Sequence, residues 1–174
     1  VGTILPSEWI IEHFPTSMPS ATEQLLQSIM KEPTGYLAVG ILGPVAEEMV
    51  FRGAVLRTLL NLFSQKSHWW AILISAVLFG AIHFNTAQFA HALPIGLLLG
   101  WMYYRTGSIL PGLLFHWVNN TVAYLMFNLM PQLGDGKLID LFHGSSHSLG
   151  MGLFFSVCII LPCLFQLNMR MKKG

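Results

Sequence analysis

The sequence predicts an all-α protein: a polytopic transmembrane helix bundle of about five spans, with a short amphipathic helix ahead of them. Three observations predict it. Of 174 residues, 53% are hydrophobic and 10% charged, where soluble domains carry about 25% charged residues. After residue 34 the apolar residues gather into five long segments, near the roughly 20 residues a crossing helix needs. Short links with turn residues separate them. The net charge of +1 comes with no basic stripe, so no nucleic-acid partner is expected.

Residues 1–34 read as an extramembrane N-terminal segment. Residues 1–33 hold four of the eight acids (Glu8, Glu12, Glu23, Glu32) and four prolines, which leaves no room for a span. Ser20-Ala-Thr-Glu23 is a capping-box pattern, and Leu25, Leu26 and Ile29 follow at helical spacing. The spacing predicts an amphipathic helix over 20–31, at the membrane surface or over the domain. The chain starts at Val1, so the lack of a signal peptide carries no information.

Residues 35–168 form the helical core. The first span covers 35–63, with Gly43-Pro44 as an expected kink and Gly53 allowing close approach. The second covers 68–84 and the third 87–104; the link at Asn85 and Thr86 makes them antiparallel neighbours. Pro94-x-Gly96 is expected to interrupt the third. A turn at Arg105-Thr-Gly107-Ser leads to the fourth span, 109–130, and the fifth covers 149–168. Between them, 131–148 is polar and glycine-rich; His143 and His147 could bind a metal there, but a flexible external loop is the simpler reading. Cys158 and Cys163, five apart on one helix, point to different faces and are expected as free thiols. Residues 169–174 are a basic tail. With the C-terminus in the cytoplasm, Arg57, Lys66, Arg105, Arg170, Lys172 and Lys173 face inward and Lys31 and Lys137 outward.

Three polar clusters lie inside these apolar segments: Glu47-Glu48-x-x-x-Arg52, Phe79-x-x-x-His83 and His116-x-x-x-Asn120. An ionisable group in lipid costs several kcal/mol unless it meets a partner or a wet cavity. Singly, each histidine reads as a core residue bonded across helices; three clusters together read as one site. Glu47 and Glu48 stand about 100° apart on a helix, so their roles divide. Glu48 has the i,i+4 spacing to pair with Arg52, leaving Glu47 for the cavity. Phe79 and His83, like His116 and Asn120, share a helix face, with Phe79 as packing. A carboxylate can activate water as general base, a histidine can position it, and a second histidine with an asparagine can donate to a developing oxyanion. No metal is favoured. Zinc on Glu47, His83 and His116 is the alternative, since two histidines and a glutamate are a common zinc set, although no His-Glu-x-x-His helix is present. His91 is a lesser candidate to line the cavity. His68-Trp69-Trp70 and Trp101–Tyr104 read as interfacial anchors.

These clusters, in this order, resemble the CAAX-protease and bacteriocin-processing family of intramembrane endopeptidases, also called the Abi family. Its signatures read here Glu47-Glu48-Met-Val-Phe-Arg52, Phe79-Gly-Ala-Ile-His83 and His116-Trp-Val-Asn-Asn120. The linking text, Pro44-Val-Ala, Gly100-Trp101, Tyr104-Arg-Thr-Gly107 and Leu110-Pro111, is similar too, over residues 38–122. The resemblance implies an all-helical membrane fold with a cavity open to the cytoplasm or the bilayer. It implies Glu47 as base, His83 holding the water, His116 and Asn120 as oxyanion hole, and Glu48 and Arg52 in support. The chain is short beside such relatives, which usually carry further spans before the Glu-Glu helix.

The expected function is therefore intramembrane hydrolysis of a peptide or lipid-modified protein, in a multi-pass protein of a bacterial cytoplasmic membrane and in contact with its lipid. Zinc-dependent proteolysis at the same site is one alternative. A non-catalytic immunity or scaffold protein is a second, and a proton or ion carrier a third, since intramembrane Glu and His also mark relays.

Overall fold

The computed structural model describes residues 2–14, 20–63, 65–129 and 137–171. The side chains of the expected capping box, most of the 131–148 link's first half, and Lys172 and Lys173 lie outside the described residues. Among the described residues seven helices account for the architecture and no strand occurs. They are α1 (Ile4–His13), α2 (Ser20–Lys31), α3 (residues 37–62), α4 (His68–Ala81), α5 (Thr86–Thr106), α6 (Leu110–Leu129) and α7 (Ser146–Arg170).

Helices occupy all five apolar segments, and α2 has the boundaries that its amphipathic pattern predicts. One of them, α7, is long and apolar enough by composition alone to cross a membrane. Its Phe154, Phe155, Leu161 and Phe165 are exposed, as are Leu37, Leu42, Met49 and Val50 of α3. So much contiguous apolar surface is uncommon on a water-soluble monomer. Cys158 and Cys163 are free, as the sequence predicts.

Three features depart from the sequence reading. Helix α1 was not expected, and it packs against α5 and α7: the Gly2 backbone approaches Ser156, Ile159 and Ile160, and Leu5 approaches Gly152. Helix α5 runs unbroken through Pro94, so the expected interruption is absent. Helix α4 stops at Ala81, and the chain reverses through Phe84, which adopts a left-handed φ of 50°. His83 therefore sits in the turn rather than on the helix.

The hairpin of α4 and α5 is the core of the bundle. Small residues let its backbones close: a Cβ on Gly96 would lie 3.0 Å from Ala76 Cβ, and one on Gly100 would lie 3.0 Å from Ile72 Cγ2. Around it, Leu56, Ala71 and Ile72 are sealed completely, as is Leu99 beside Ile95, Met102 and Phe115. Gly96→Ala is expected to push α4 from α5 and shift Phe79, whose Cδ1 would be 3.2 Å from the new methyl. Overpacking of this kind costs about 1–3 kcal/mol, read as a lowered unfolding midpoint in detergent.

At one end of the bundle, Arg105 Nη2 donates to the Asn168 and Met171 carbonyls at 2.8 and 2.9 Å, capping the C-terminus of α7. His68 stacks on Tyr104 at 4.1 Å there. The ends of α3, α5 and α7 and the start of α4 thus gather Arg57, Lys66, Arg105 and Arg170 at this end. His83, in the turn between α4 and α5, lies at the opposite end.

Candidate active site

The carboxylate pair sits on an unusual stretch of helix. Glu47 and Glu48 end a short α-helical piece, Gly43–Glu48, flanked by π-helical pieces at Leu37–Leu42 and Met49–Leu56. π-Helical turns inside helices are frequent at functional sites. Proline chemistry accounts for one polar contact here. The Gly43 N–H donates five residues back, to the Ala38 carbonyl. In that pattern the next donor would be residue 44, but Pro44 has no N–H. The Val39 carbonyl is then left for a side chain, and Asn120 Nδ2 donates to it at 3.0 Å.

The same α6 face continues the pattern one and two turns on. Tyr124 donates to the Glu32 carbonyl at 2.9 Å, and Asn128 to the Met30 carbonyl at 3.0 Å. Helix α6 thereby holds both the start of α3 and the end of α2 in place.

Arg52 and Glu48 pair as their spacing predicts, Nη1 to Oε1 at 2.9 Å, with side chains 1% and 0% exposed. Arg52 Nη2 also donates to the Gly96 carbonyl at 3.1 Å, and the guanidinium lies 4.6 Å from the Phe79 ring centre. Phe79 meets Phe51, His83 and His116 edge-on at 5.3, 5.4 and 5.7 Å. This packing residue therefore joins the three clusters physically.

His116 adds a link absent from the sequence reading. Its Nδ1 lies 3.1 Å from Glu48 Oε1, and its Nε2 lies 3.4 Å from Glu47 Oε2. The two glutamates, although adjacent, both reach one ring from opposite sides. Carboxylate oxygens accept, so the imidazole donates to one when neutral and to both when protonated. Glu47 differs from Glu48 in access: its side chain is 28% exposed against 0%. Glu48 Oε2 and Arg52 Nε are buried without a hydrogen-bond partner among the described residues.

A Cβ on Gly112 would stand 3.1 Å from that Glu48 Oε2. Gly112→Ala is therefore expected to displace the carboxylate from His116 and Arg52. The expected outcome is a stability loss of about 1–3 kcal/mol, read as a lowered unfolding midpoint in detergent.

Glu47, His83, His116 and Asn120 all line one cavity of about 470 Å³ between α3, α4, α5 and α6. His83 Nδ1 lies 3.0 Å from the Phe79 carbonyl. A carbonyl can only accept, so Nδ1 carries the proton, and in the neutral ring Nε2 keeps the lone pair. His91 lines the cavity as well, as do Gln88 and Asn119, which the sequence did not single out. Ile11 of α1 and Leu26, Ile29 and Met30 of α2 contribute apolar lining. Their roles follow from tertiary packing, and the only sequence signal was the apolar face of α2.

Of the alternative zinc set, His83 Nδ1 faces the Phe79 carbonyl, His116 Nδ1 faces Glu48 and His116 Nε2 faces Glu47; a histidine that binds zinc through one nitrogen commonly gives the other to such an acceptor. Among the described residues, no three His, Cys, Asp or Glu side chains are gathered so as to hold a metal ion.

Comparison with known proteins bears on the same residues. The family model for the type II CAAX prenyl endopeptidase Rce1-like proteins matches residues 30–122, more than half the chain and all three clusters. A Bacillus subtilis (strain 168) protein described as "Putative membrane peptidase YdiL" is 28% identical over 105 residues, covering 60% of this chain. The matched stretch is 42% of that relative, so the chain spans less than half of its length. No solved structure matches the chain. A single match that takes in the Glu pair, both histidines and Asn120 leaves one assignment: this chain belongs to the type II CAAX prenyl endopeptidase Rce1-like family.

Proposed function

We propose that the chain carries the active site of an intramembrane endopeptidase in which Glu47 activates water. The observation that carries this is Glu47 itself: the solvent-reachable member of the pair, opening into the cavity that His83, His116 and Asn120 also line. Glu47 takes a proton from a water that His83 Nε2 helps to hold, and the water oxygen bonds to the substrate carbonyl carbon. The oxyanion that forms receives hydrogen bonds from the His116 Nε2–H, which turns from Glu47 as that carboxylate takes up the proton, and from the second N–H of Asn120. The carbon–nitrogen bond then breaks, and Glu47 returns the proton to the leaving amine. Glu48 and Arg52 hold His116 in place and touch no reacting atom.

The substrate is proposed as a peptide or lipid-modified protein reached within the membrane. The chain is read as multi-pass, with helices α3 to α7 spanning. Putting the end that gathers Arg57, Lys66, Arg105 and Arg170 in the cytoplasm follows the charge bias of membrane proteins. The cavity, which takes in the α4–α5 turn, then lies toward the outer half of the membrane; of the two openings that the family resemblance implied, to the cytoplasm or to the bilayer, this leaves the bilayer one.

The test is cleavage of short apolar peptides by purified protein in lipid nanodiscs, with Glu47→Ala beside the wild type. Cleavage that persists in Glu47→Ala sinks the mechanism. Stoichiometric zinc in active protein, with activity lost to a chelator and restored by zinc, would favour the metal alternative. A biological phenotype that survives both Glu47→Gln and His116→Ala would favour the non-catalytic one.

A further inference from the structure

Three polar side chains of the cavity take no part in the chemistry described above: Gln88, His91 and Asn119. Two of them share an element. Gln88 and His91 stand three residues apart on α5 and so occupy one face of it. The first turn of that helix is fixed from outside. Asn85 Oδ1 accepts from the Ala87 and Gln88 N–H groups at 2.9 and 3.2 Å, which sets the Gln88 backbone. Neither the Gln88 carboxamide nor the His91 ring has a hydrogen-bond partner among the described residues.

Polar groups that face a largely apolar cavity without partners cost free energy. A peptide entering the cavity has the complementary need, because each backbone N–H and C=O leaves water and requires a partner. Gln88 offers a donor and an acceptor on one carboxamide, and a neutral His91 offers one of each on its ring. That is the set that pairs with main-chain amides of an extended segment.

Resting on the endopeptidase reading, we propose that Gln88 and His91 bind the substrate backbone beside the scissile bond. The wall fixes the peptide in extended form by its main chain, and apolar side chains then pack against Leu26 and Ile29 of α2. Substrate choice is accordingly tolerant of sequence and demanding of extended, apolar segments.

The experiment uses Gln88→Met, His91→Phe and the conservative His91→Gln in nanodiscs, on short quenched-fluorescent apolar peptides. Met and Phe are expected to raise KM about 2–10-fold each, the worth of one neutral hydrogen bond, with kcat changed less than about twofold. His91→Gln is expected to restore most of the loss. Replacing the neighbouring peptide N–H of the substrate by N-methyl should cost wild type the same factor and the variants little more. A fall in kcat at constant KM, or equal N-methyl losses in wild type and variants, overturns the proposal. Binding of the same peptides to Glu47→Gln, followed by fluorescence anisotropy, separates the two readings. If wild type cleaves none of them but binding still weakens in the wall variants, hydrolysis falls and the wall stands. If none of them binds, the wall falls.

Discussion

Glu47→Gln is expected to lower kcat by about 10²–10⁴-fold, the range contributed by a positioned general base. Glutamine keeps the size and the hydrogen-bonding reach of the side chain but cannot accept the proton from water. The fold should not notice the change. The buried ion pair belongs to Glu48 and Arg52, and Glu47 approaches the network at His116 Nε2, 3.4 Å away. The unfolding midpoint in detergent is therefore expected to stay at the wild-type value while turnover at saturating substrate collapses. A residual rate above the uncatalysed reaction should survive, because the oxyanion donors and the cavity remain. Unchanged turnover would remove Glu47 from the chemistry.

Arg52→Met is expected to have the largest effect on stability, about 3–5 kcal/mol, the usual cost of stripping one partner from a buried ion pair. The guanidinium reaches three neighbours: Glu48 Oε1 at 2.9 Å, the Gly96 carbonyl at 3.1 Å and the Phe79 ring at 4.6 Å. Methionine fills the volume and leaves the Glu48 carboxylate in a fully buried site with His116 Nδ1 as its remaining polar partner among the described residues. The double variant Glu48→Gln with Arg52→Met should recover part of the loss, since it removes the stranded charge as well. A denaturant titration of the three variants measures this; a single-variant loss below about 1 kcal/mol, the range of an exposed pair, would show that the pair is solvated.

What could be read from the sequence is the part that depends on spacing along one helix. The Glu48–Arg52 pair follows from four residues of separation, and the amphipathic α2 from its three apolar positions. Polar residues stranded in apolar segments were legible because lipid makes them costly. Contacts made across helices were not. No spacing rule predicts that Glu48 and Glu47 would close on His116 from both sides, because that needs the packing of α6 on α3. Asn120 illustrates the intermediate case. Its place on the His116 face was legible, whereas its bond to Val39 depends on a carbonyl that Pro44 frees on another helix. Helix α1 escaped notice because its apolar residues lie on all sides and show little one-face pattern. His83 was placed on a helix that in fact stops at Ala81, since an apolar run does not reveal where a turn such as Phe84 begins.

The π-helical pieces on either side of Gly43–Glu48 give α3 a property that residue identities alone do not convey. A π turn holds more residues than an α turn, so each piece stores surplus chain within the helix. Losing one residue from 37–42 would let that piece relax to ordinary α geometry, so the surplus absorbs the loss and the Glu pair keeps its bearing on His116. Plain α-helix has no such reserve. Losing one residue between His116 and Asn120 of α6 would turn one of them from the cavity by about 100° relative to the other. Single deletions should therefore be tolerated in the links and in 37–42 and not between His116 and Asn120, so that α3 carries slack where α6 carries none.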